Sequence, residues 1–294
     1  MSTVAEEVAH AGRVRGFLRL VVIEHSVFAL PFVLIAVSTA TADIDWLAVG
    51  YVVVALVAAR TFAMAANRVI DRELDARNPR TAQRELVTGA LPVSVAYGGM
   101  AVALAVFLVA AWALNPLCLA LSPVALAPLT LYPYAKRFTW LCHYVLGLAQ
   151  AMAPIGTYVA LRDGIGGVGP GILLGLAVGT WIAGFDLIYA CQDIDSDRAT
   201  GVHSLPARFG AAAALRVSAV THVATVALLV AYGAATGSVG RIWYAGVALA
   251  AAALAYEHAI VKPDDLSRVN RAFFTVNGWI GLGLMLFAAA ELVW

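Results

Sequence analysis

Asn67, Asp71 and Asp75 recur at four-residue spacing in the stretch Asn67-Arg68-Val69-Ile70-Asp71-Arg72-Glu73-Leu74-Asp75. Asp193 and Asp197 repeat that spacing in Tyr189-Ala190-Cys191-Gln192-Asp193-Ile194-Asp195-Ser196-Asp197. Side chains four apart on a helix share one face, about 5–6 Å apart at Cβ. Paired carboxylates with an amide carbonyl are hard oxygen donors, the kind that hold Mg²⁺ together with the phosphate oxygens of a substrate rather than Zn²⁺. Tyr189 joins the second face one turn before Asp193, whereas Asp195 falls off it. Both stretches close long apolar runs, so the expected chemistry is magnesium and diphosphate at a membrane.

A diphosphate also needs cationic donors, and Arg80, Arg84, Lys136, Arg137, Arg198 and Arg208 fall in the same layer as the acidic stretches. Arginine's planar fork suits phosphate oxygens. Tyr132 and Lys136 stand one turn apart beside the loop 135–139. Asp186 precedes Asp193 by two turns, at a depth where a carboxylate usually faces a cavity or a partner. Glu24, His25, Arg60 and Asn277 are polar within apolar runs. They are candidates to line a cavity for a polar organic substrate; alternatively, Glu24 or His25 pairs with Arg60. His143, His222 and His258 share no ligand spacing and read as structural, as do Cys118, Cys142 and Cys191. No phosphate loop or nucleophile turn of the Gly-x-Ser-x-Gly kind is present. The Gly-rich stretch Gly164–Gly169 reads as a connection.

The elements that position these residues follow from composition. Of the 294 residues, 62% are hydrophobic and 13% charged, with mean hydropathy +0.85. A soluble domain carries about 25% charged residues, so the chain reads as an all-α, polytopic membrane protein. A spanning helix needs about 20 apolar residues. About nine such runs occur, near 17–39, 46–67, 92–112, 116–134, 140–161, 170–190, 211–233, 242–260 and 272–293. Pro31, Pro123, Pro128 and Pro154 lie inside them and predict kinks. The N-terminus lacks the form of a cleaved signal peptide.

With the N-terminus in the cytoplasm, sixteen basic residues fall in cytoplasmic segments and two, Arg162 and Arg241, on the other side. That bias sets the orientation. It puts both acidic stretches on the cytoplasmic side, each after an even-numbered span and before a polar loop, 76–91 and 198–210, and leaves Trp294 opposite. Residues 1–294 read as a single transmembrane domain with a weak internal duplication. The absence of a long basic tail argues against nucleic acid as a partner.

These residues resemble the UbiA superfamily of intramembrane prenyltransferases. Asn67/Asp71/Asp75 and Asp193/Asp197 are similar to its two aspartate motifs. Glu24–Phe32, Asn78–Thr81, Tyr134–Thr139 and His203–Gly210 support the likeness from the first span to the seventh. The pattern looks most like 4-hydroxybenzoate polyprenyltransferases, and Phe185–Asp193 with His203–Pro206 is similar to a branch acting on 1,4-dihydroxy-6-naphthoate in menaquinone biosynthesis. The resemblance implies nine helices around a central lipid-open cavity. It implies Mg²⁺ held by Asp71, Asp75, Asp193 and Asp197 with Asn67, binding a polyprenyl diphosphate. Arg80, Arg84, Lys136 and Arg137 would neutralise the leaving group, and an electron-rich aromatic acceptor would attack the allylic cation. Asp193 is the candidate to take a proton from the phenol. Haem O, homogentisate and lipid prenyltransferases of the same superfamily are the alternatives among enzymes. A secondary transporter is the alternative of another class; its site would sit nearer the bilayer midplane.

Overall fold

The long helices form where apolar runs are about as long as a bilayer is thick, and their ends fall where the sequence turns polar. The computed structural model describes residues 12, 14–21, 29–162 and 164–293. A helical stretch at 14–20 leads to α1 (Leu30–Ala40), α2 (Trp46–Ile70), α3 (Arg72–Arg77), α4 (Glu85–Thr88), α5 (Val93–Leu114), α6 (Pro116–Ala135) and α7 (Cys142–Leu161). Then follow α8 (Gly169–Ala190), a 3₁₀ turn (Cys191–Asp193), α9 (Ile194–Thr200), α10 (Leu205–Phe209), α11 (Ala211–Thr236), α12 (Arg241–Ile260), a π-helical turn (Arg271–Val276) and α13 (Asn277–Val293). Among the described residues there is no strand, only an isolated bridge between Lys262 and Asp265.

Among the described residues, seven helical segments are long and apolar enough to cross a membrane: Trp46–Ile70, Val93–Leu114, Pro116–Ala135, Cys142–Leu161, Gly169–Thr200, Ala211–Thr236 and Arg271–Glu291. The expectation of nine meets its difference in two places. The run at 17–39 includes residues outside those described, and α1 is a shorter apolar helix. The run at 242–260 forms the 20-residue α12, but Trp243, Tyr244, Tyr256, Glu257 and His258 lower its hydropathy. Of the prolines expected to kink spans, Pro123 and Pro128 lie inside α6, joined by Pro133, and Pro154 lies inside α7. Pro31 instead occupies the first turn of α1, where a missing N–H costs nothing.

Outward faces are apolar, as lipid demands: Val102, Val106, Val109 and Trp112 form an exposed stripe on α5. Inside, helices approach closely through small residues. A Cβ added at Gly147 of α7 would collide with the carbonyl oxygen of Gly179 on α8. The interior around Phe32, Tyr158, Trp181, Tyr232 and Trp243 buries its few polar atoms in pairs. Thr39 Oγ1 lies 2.6 Å from the Tyr232 hydroxyl and 2.9 Å from that of Tyr158, since a buried hydroxyl without a partner is costly.

Candidate active site

The first acidic motif straddles a helix break. α2 ends at Ile70, Asp71 sits between helices and α3 follows, yet helical spacing survives: Asp71 N–H donates to Asn67 O at 2.9 Å and Asp75 N–H to Asp71 O at 2.8 Å. The second motif straddles the 3₁₀ turn between α8 and α9. Asn67, Asp71, Asp75, Asp193 and Asp197 all line one cavity of about 460 Å³, so two aspartate pairs 122 residues apart in sequence (193 − 71) face a common space.

Each carboxylate is satisfied. Asp71, 1% exposed, lies 2.5 Å from Lys136 Nζ, accepts from Arg137 Nη1 at 3.1 Å and from Asn67 Nδ2 at 3.1 Å. Asp75 accepts from Arg84 Nη1 at 2.6 and 2.7 Å. Asp193 takes a two-pronged grip from Arg80, Nε at 3.0 Å and Nη2 at 2.7 Å, and a bond from Asn78 Nδ2 at 3.1 Å. Asp197 accepts from Ser204 Oγ at 2.6 Å. Burial opposes the charge of Arg80, but Asp193 outweighs it and holds that guanidinium above its ordinary value.

Local sequence explains how the loops reach across. The loop after α3 carries Asn78 and Arg80 to the opposite cluster. It is pinned by Thr81 Oγ1 donating to Asp75 O at 3.0 Å, and α4 ends at Gly89 with φ 75°, a left-handed position suited to glycine. Ser204 caps α10 while holding Asp197. His203 N–H donates to Lys136 O at 2.7 Å and ties the loop 198–210 to the turn after α6.

Of the expected cationic residues, Arg80, Arg84 and Lys136 line the cavity, with Tyr132 and Tyr189. The Arg80 guanidinium lies 5.2 Å from the Tyr189 ring centroid and donates to its hydroxyl at 3.3 Å. Arg137 braces instead: beyond Asp71 it donates to Pro133 O at 2.6 Å and Ile70 O at 2.7 Å, and it stands outside the lining. Arg198 and Arg208 also stand outside. Arg198 Nε donates to Ala207 O at 2.8 Å and Arg208 stacks over Phe209 at 5.3 Å, because the loop 198–210 folds back on itself. Glu24 and His25 lie outside the described residues.

Arg60 lines this cavity and a second, apolar one of about 230 Å³ between α2, α5, α6 and α7; Met64, Tyr132, Leu146 and Gln150 line both. Its Nε is buried without a partner among the described residues. Asn277 lines the polar cavity while bonding Trp181 Nε1 at 2.7 Å, Glu257 at 3.1 Å and Ala272 O at 3.0 Å. Residues the sequence reading missed are Asn78, Ser204, Phe273 and His143, whose Nδ1 lies 2.6 Å from Oδ2 of Asp186, the carboxylate expected to face a cavity or a partner. Asn78 and Ser204 sat within stretches singled out by resemblance but carried no charge to draw notice. His143 read as structural because its partner lies 43 residues on.

The donor set fits a magnesium ion. Among the described residues no three of His, Cys, Asp and Glu converge into a closed metal cage. Each cluster instead offers two carboxylates on an open wall, and Mg²⁺ favours one or two carboxylates completed by water and substrate phosphate.

This fold and site define a class, and residues 28–279 match the UbiA prenyltransferase family. The chain belongs to that family and is a multi-pass membrane enzyme. It is 33% identical over 224 residues to a 4-hydroxybenzoate octaprenyltransferase of Alkalilimnicola ehrlichii, covering 75% of each chain. It is also similar to the apo structure of a UbiA homolog from Aeropyrum pernix K1: 33% identity, TM-score 0.80, covering 92% of this chain and 98% of that one. A UbiA homolog from Archaeoglobus fulgidus bound to GPP and Mg²⁺ shares the fold at 20% identity and TM-score 0.67, covering 95% and 100%.

Proposed function

We propose that this protein transfers a polyprenyl group from a polyprenyl diphosphate to an aromatic acceptor of the 4-hydroxybenzoate or 1,4-dihydroxy-6-naphthoate type, in quinone biosynthesis. The observation that carries it is the convergence of both carboxylate clusters with Arg80, Arg84 and Lys136 on one cavity that shares a wall with an apolar one. The named activity of the Alkalilimnicola relative and the GPP and Mg²⁺ held by the Archaeoglobus fold neighbour support the same reading.

Asp71 and Asp75, with Asn67, and Asp193 and Asp197 would hold Mg²⁺. When bound, the ion supplies Lewis-acid neutralisation of the diphosphate. Arg80, Arg84 and Lys136 present N–H donors to the same phosphate oxygens and lower the barrier to C–O heterolysis as charge gathers on the leaving group. Phe185, Tyr189 and Phe273 form a packed aromatic wall, Tyr189 and Phe273 4.3 Å and Phe185 and Phe273 5.0 Å between centroids. Their π faces stabilise an allylic cation. The apolar cavity receives the start of the prenyl tail, each buried CH₂ contributing about 0.8 kcal/mol. Arg60, whose Nε has no partner among the described residues, suits an anionic substituent on the acceptor.

The same reading makes residues 1–294 one catalytic domain in the cell membrane, with the N-terminus and the site cytoplasmic and the C-terminus opposite. The test is turnover of purified protein with a polyprenyl diphosphate, Mg²⁺ and a panel of aromatic acceptors, read by mass spectrometry. Asp71→Asn and Asp193→Asn are each expected to lower kcat by at least about 10²-fold while the protein stays folded in detergent. Full activity in both would remove the metal assignment.

A further inference from the structure

Glu257 is a carboxyl group that the mechanism above does not use. It lies on α12, is 0% exposed, and stands outside the lining of both cavities. Burying such a group is costly, so what it bonds is informative. Its Oε1 accepts from Asn277 Nδ2 at 3.1 Å, and its Oε2 has no partner among the described residues.

The other Nδ2 hydrogen of Asn277 goes to Ala272 O at 3.0 Å, and Oδ1 accepts from Trp181 Nε1 at 2.7 Å. Two acceptors on one side and a donor on the other leave the amide a single orientation. Turned over, its NH₂ would meet the indole N–H and its oxygen would meet two oxygens. Asn277 therefore lines the polar cavity without a free N–H to offer a substrate.

What this amide holds is the π-helical turn Arg271–Val276, which contains Ala272. Such i→i+5 turns are wider than an α-helical one and gather at functional sites. Phe273 and Phe274, adjacent in sequence, both reach the cavity wall from it. Phe273 packs against Tyr189 at 4.3 Å, Phe274 at 4.8 Å and Phe185 at 5.0 Å between centroids. Trp181, at the other end of the Asn277 amide, packs edge-on against Phe185 at 5.2 Å. One amide thus joins both sides of the aromatic wall, α8 through Trp181 and the π-helical turn through Ala272. Glu257 fixes that amide from behind.

We propose that Glu257 is a positioning residue for prenyl transfer: through Asn277 it keeps the π-helical turn in the geometry that sets the Phe273 ring in the cavity wall, and so keeps water from the allylic cation. This rests on the prenyl-transfer reading above. The cation left when the C–O bond breaks toward the diphosphate has two fates. The acceptor's ring carbon supplies the electron pair for a C–C bond, or a water oxygen supplies it for a C–O bond and gives a proton to the diphosphate, leaving a prenyl alcohol. Excluding water favours the first. Glu257 touches neither substrate, so its loss shows in how the cation partitions and not in how the diphosphate binds.

The experiment uses the full chain in lipid nanodiscs with farnesyl diphosphate, Mg²⁺ and whichever of 4-hydroxybenzoate and 1,4-dihydroxy-6-naphthoate it prenylates. Mass spectrometry gives the ratio of farnesol to prenylated acceptor, with a protein-free blank subtracted. Glu257→Leu is expected to raise that ratio about tenfold, with KM for farnesyl diphosphate unchanged because the carboxylate clusters are untouched. Glu257→Gln, whose amide oxygen still accepts from Asn277, should stay within about twofold of the wild-type ratio. A wild-type ratio in Glu257→Leu overturns the proposal, as does a ratio in Glu257→Gln as high as in Glu257→Leu. Phe273→Leu should raise the ratio in the same direction. It carries the test where Glu257→Leu does not fold, and a wild-type ratio in it overturns the proposal. A wild-type protein that prenylates neither phenol overturns the parent reading instead, and is seen before any variant is made.

Discussion

Arg80 and Arg198 are both arginines that shortly follow an acidic motif, and sequence offers little to separate them. Structure does so through what each guanidinium touches. Arg80 crosses from the first cluster's loop to Asp193 and stacks on Tyr189, on the cavity wall. Arg198 is spent on the carbonyl of Ala207, nine residues along its own loop. Arg80→Ala should therefore lower kcat by about 10²-fold, and Arg80→Lys should recover only part of it, since an ammonium cannot reproduce the two-pronged geometry. Arg198→Ala should keep kcat within a few-fold of wild type. Steady-state turnover of the three variants checks this; equal losses at Arg80 and Arg198 would refute the distinction.

Elements matter here chiefly through how closely two of them pass. α7 and α8 cross at Gly147 and Gly179 with no room for a side chain. That contact sets the spacing between His143 on one helix and Asp186 on the other. Gly147→Val should destabilise the protein by about 1–3 kcal/mol or more through overpacking, read as a lower unfolding midpoint in detergent. Gly50→Ala on α2, where an added Cβ meets nothing within 4 Å, should be neutral or stabilising, because alanine loses less conformational entropy in a helix. A Gly147→Val midpoint equal to wild type would show that the crossing has slack. The helices themselves were legible because a 20-residue apolar run has few alternatives in lipid. The four-residue aspartate spacing was legible for the same reason, since helical hydrogen bonds persist through the break at Asp71. Tertiary pairing was not. Nothing local to His143 announces a carboxylate 43 residues away, and nothing in the loop 198–210 says that Arg198 and Arg208 turn inward on that loop while Ser204 turns to Asp197.

At the scale of the whole molecule, the two acidic clusters sit on different stretches of the bundle, α2–α3 and α8–α9, and polar side chains join them across the cavity. Arg80 and Asn78 reaching Asp193 are the bridge. A magnesium diphosphate bound between the clusters would add a second, stronger bridge, so ligand and metal should stabilise the fold together. With a non-hydrolysable farnesyl thiodiphosphate at 100 times its Kd and millimolar Mg²⁺, the expected stabilisation is about 2.7 kcal/mol, seen as a higher unfolding midpoint. Either component alone should give much less, since carboxylates repel the bare diphosphate and Mg²⁺ alone lacks the phosphate oxygens that would complete its coordination. A chelator should return the midpoint to its starting value. Asp197→Asn should weaken the combined effect even though Asp197 is the carboxylate without a basic partner within salt-bridge range among the described residues, because its contribution is to the metal and not to an arginine. A midpoint that rises equally with thiodiphosphate alone would mean that the cations bind the ligand unaided, and the acidic clusters would need another role.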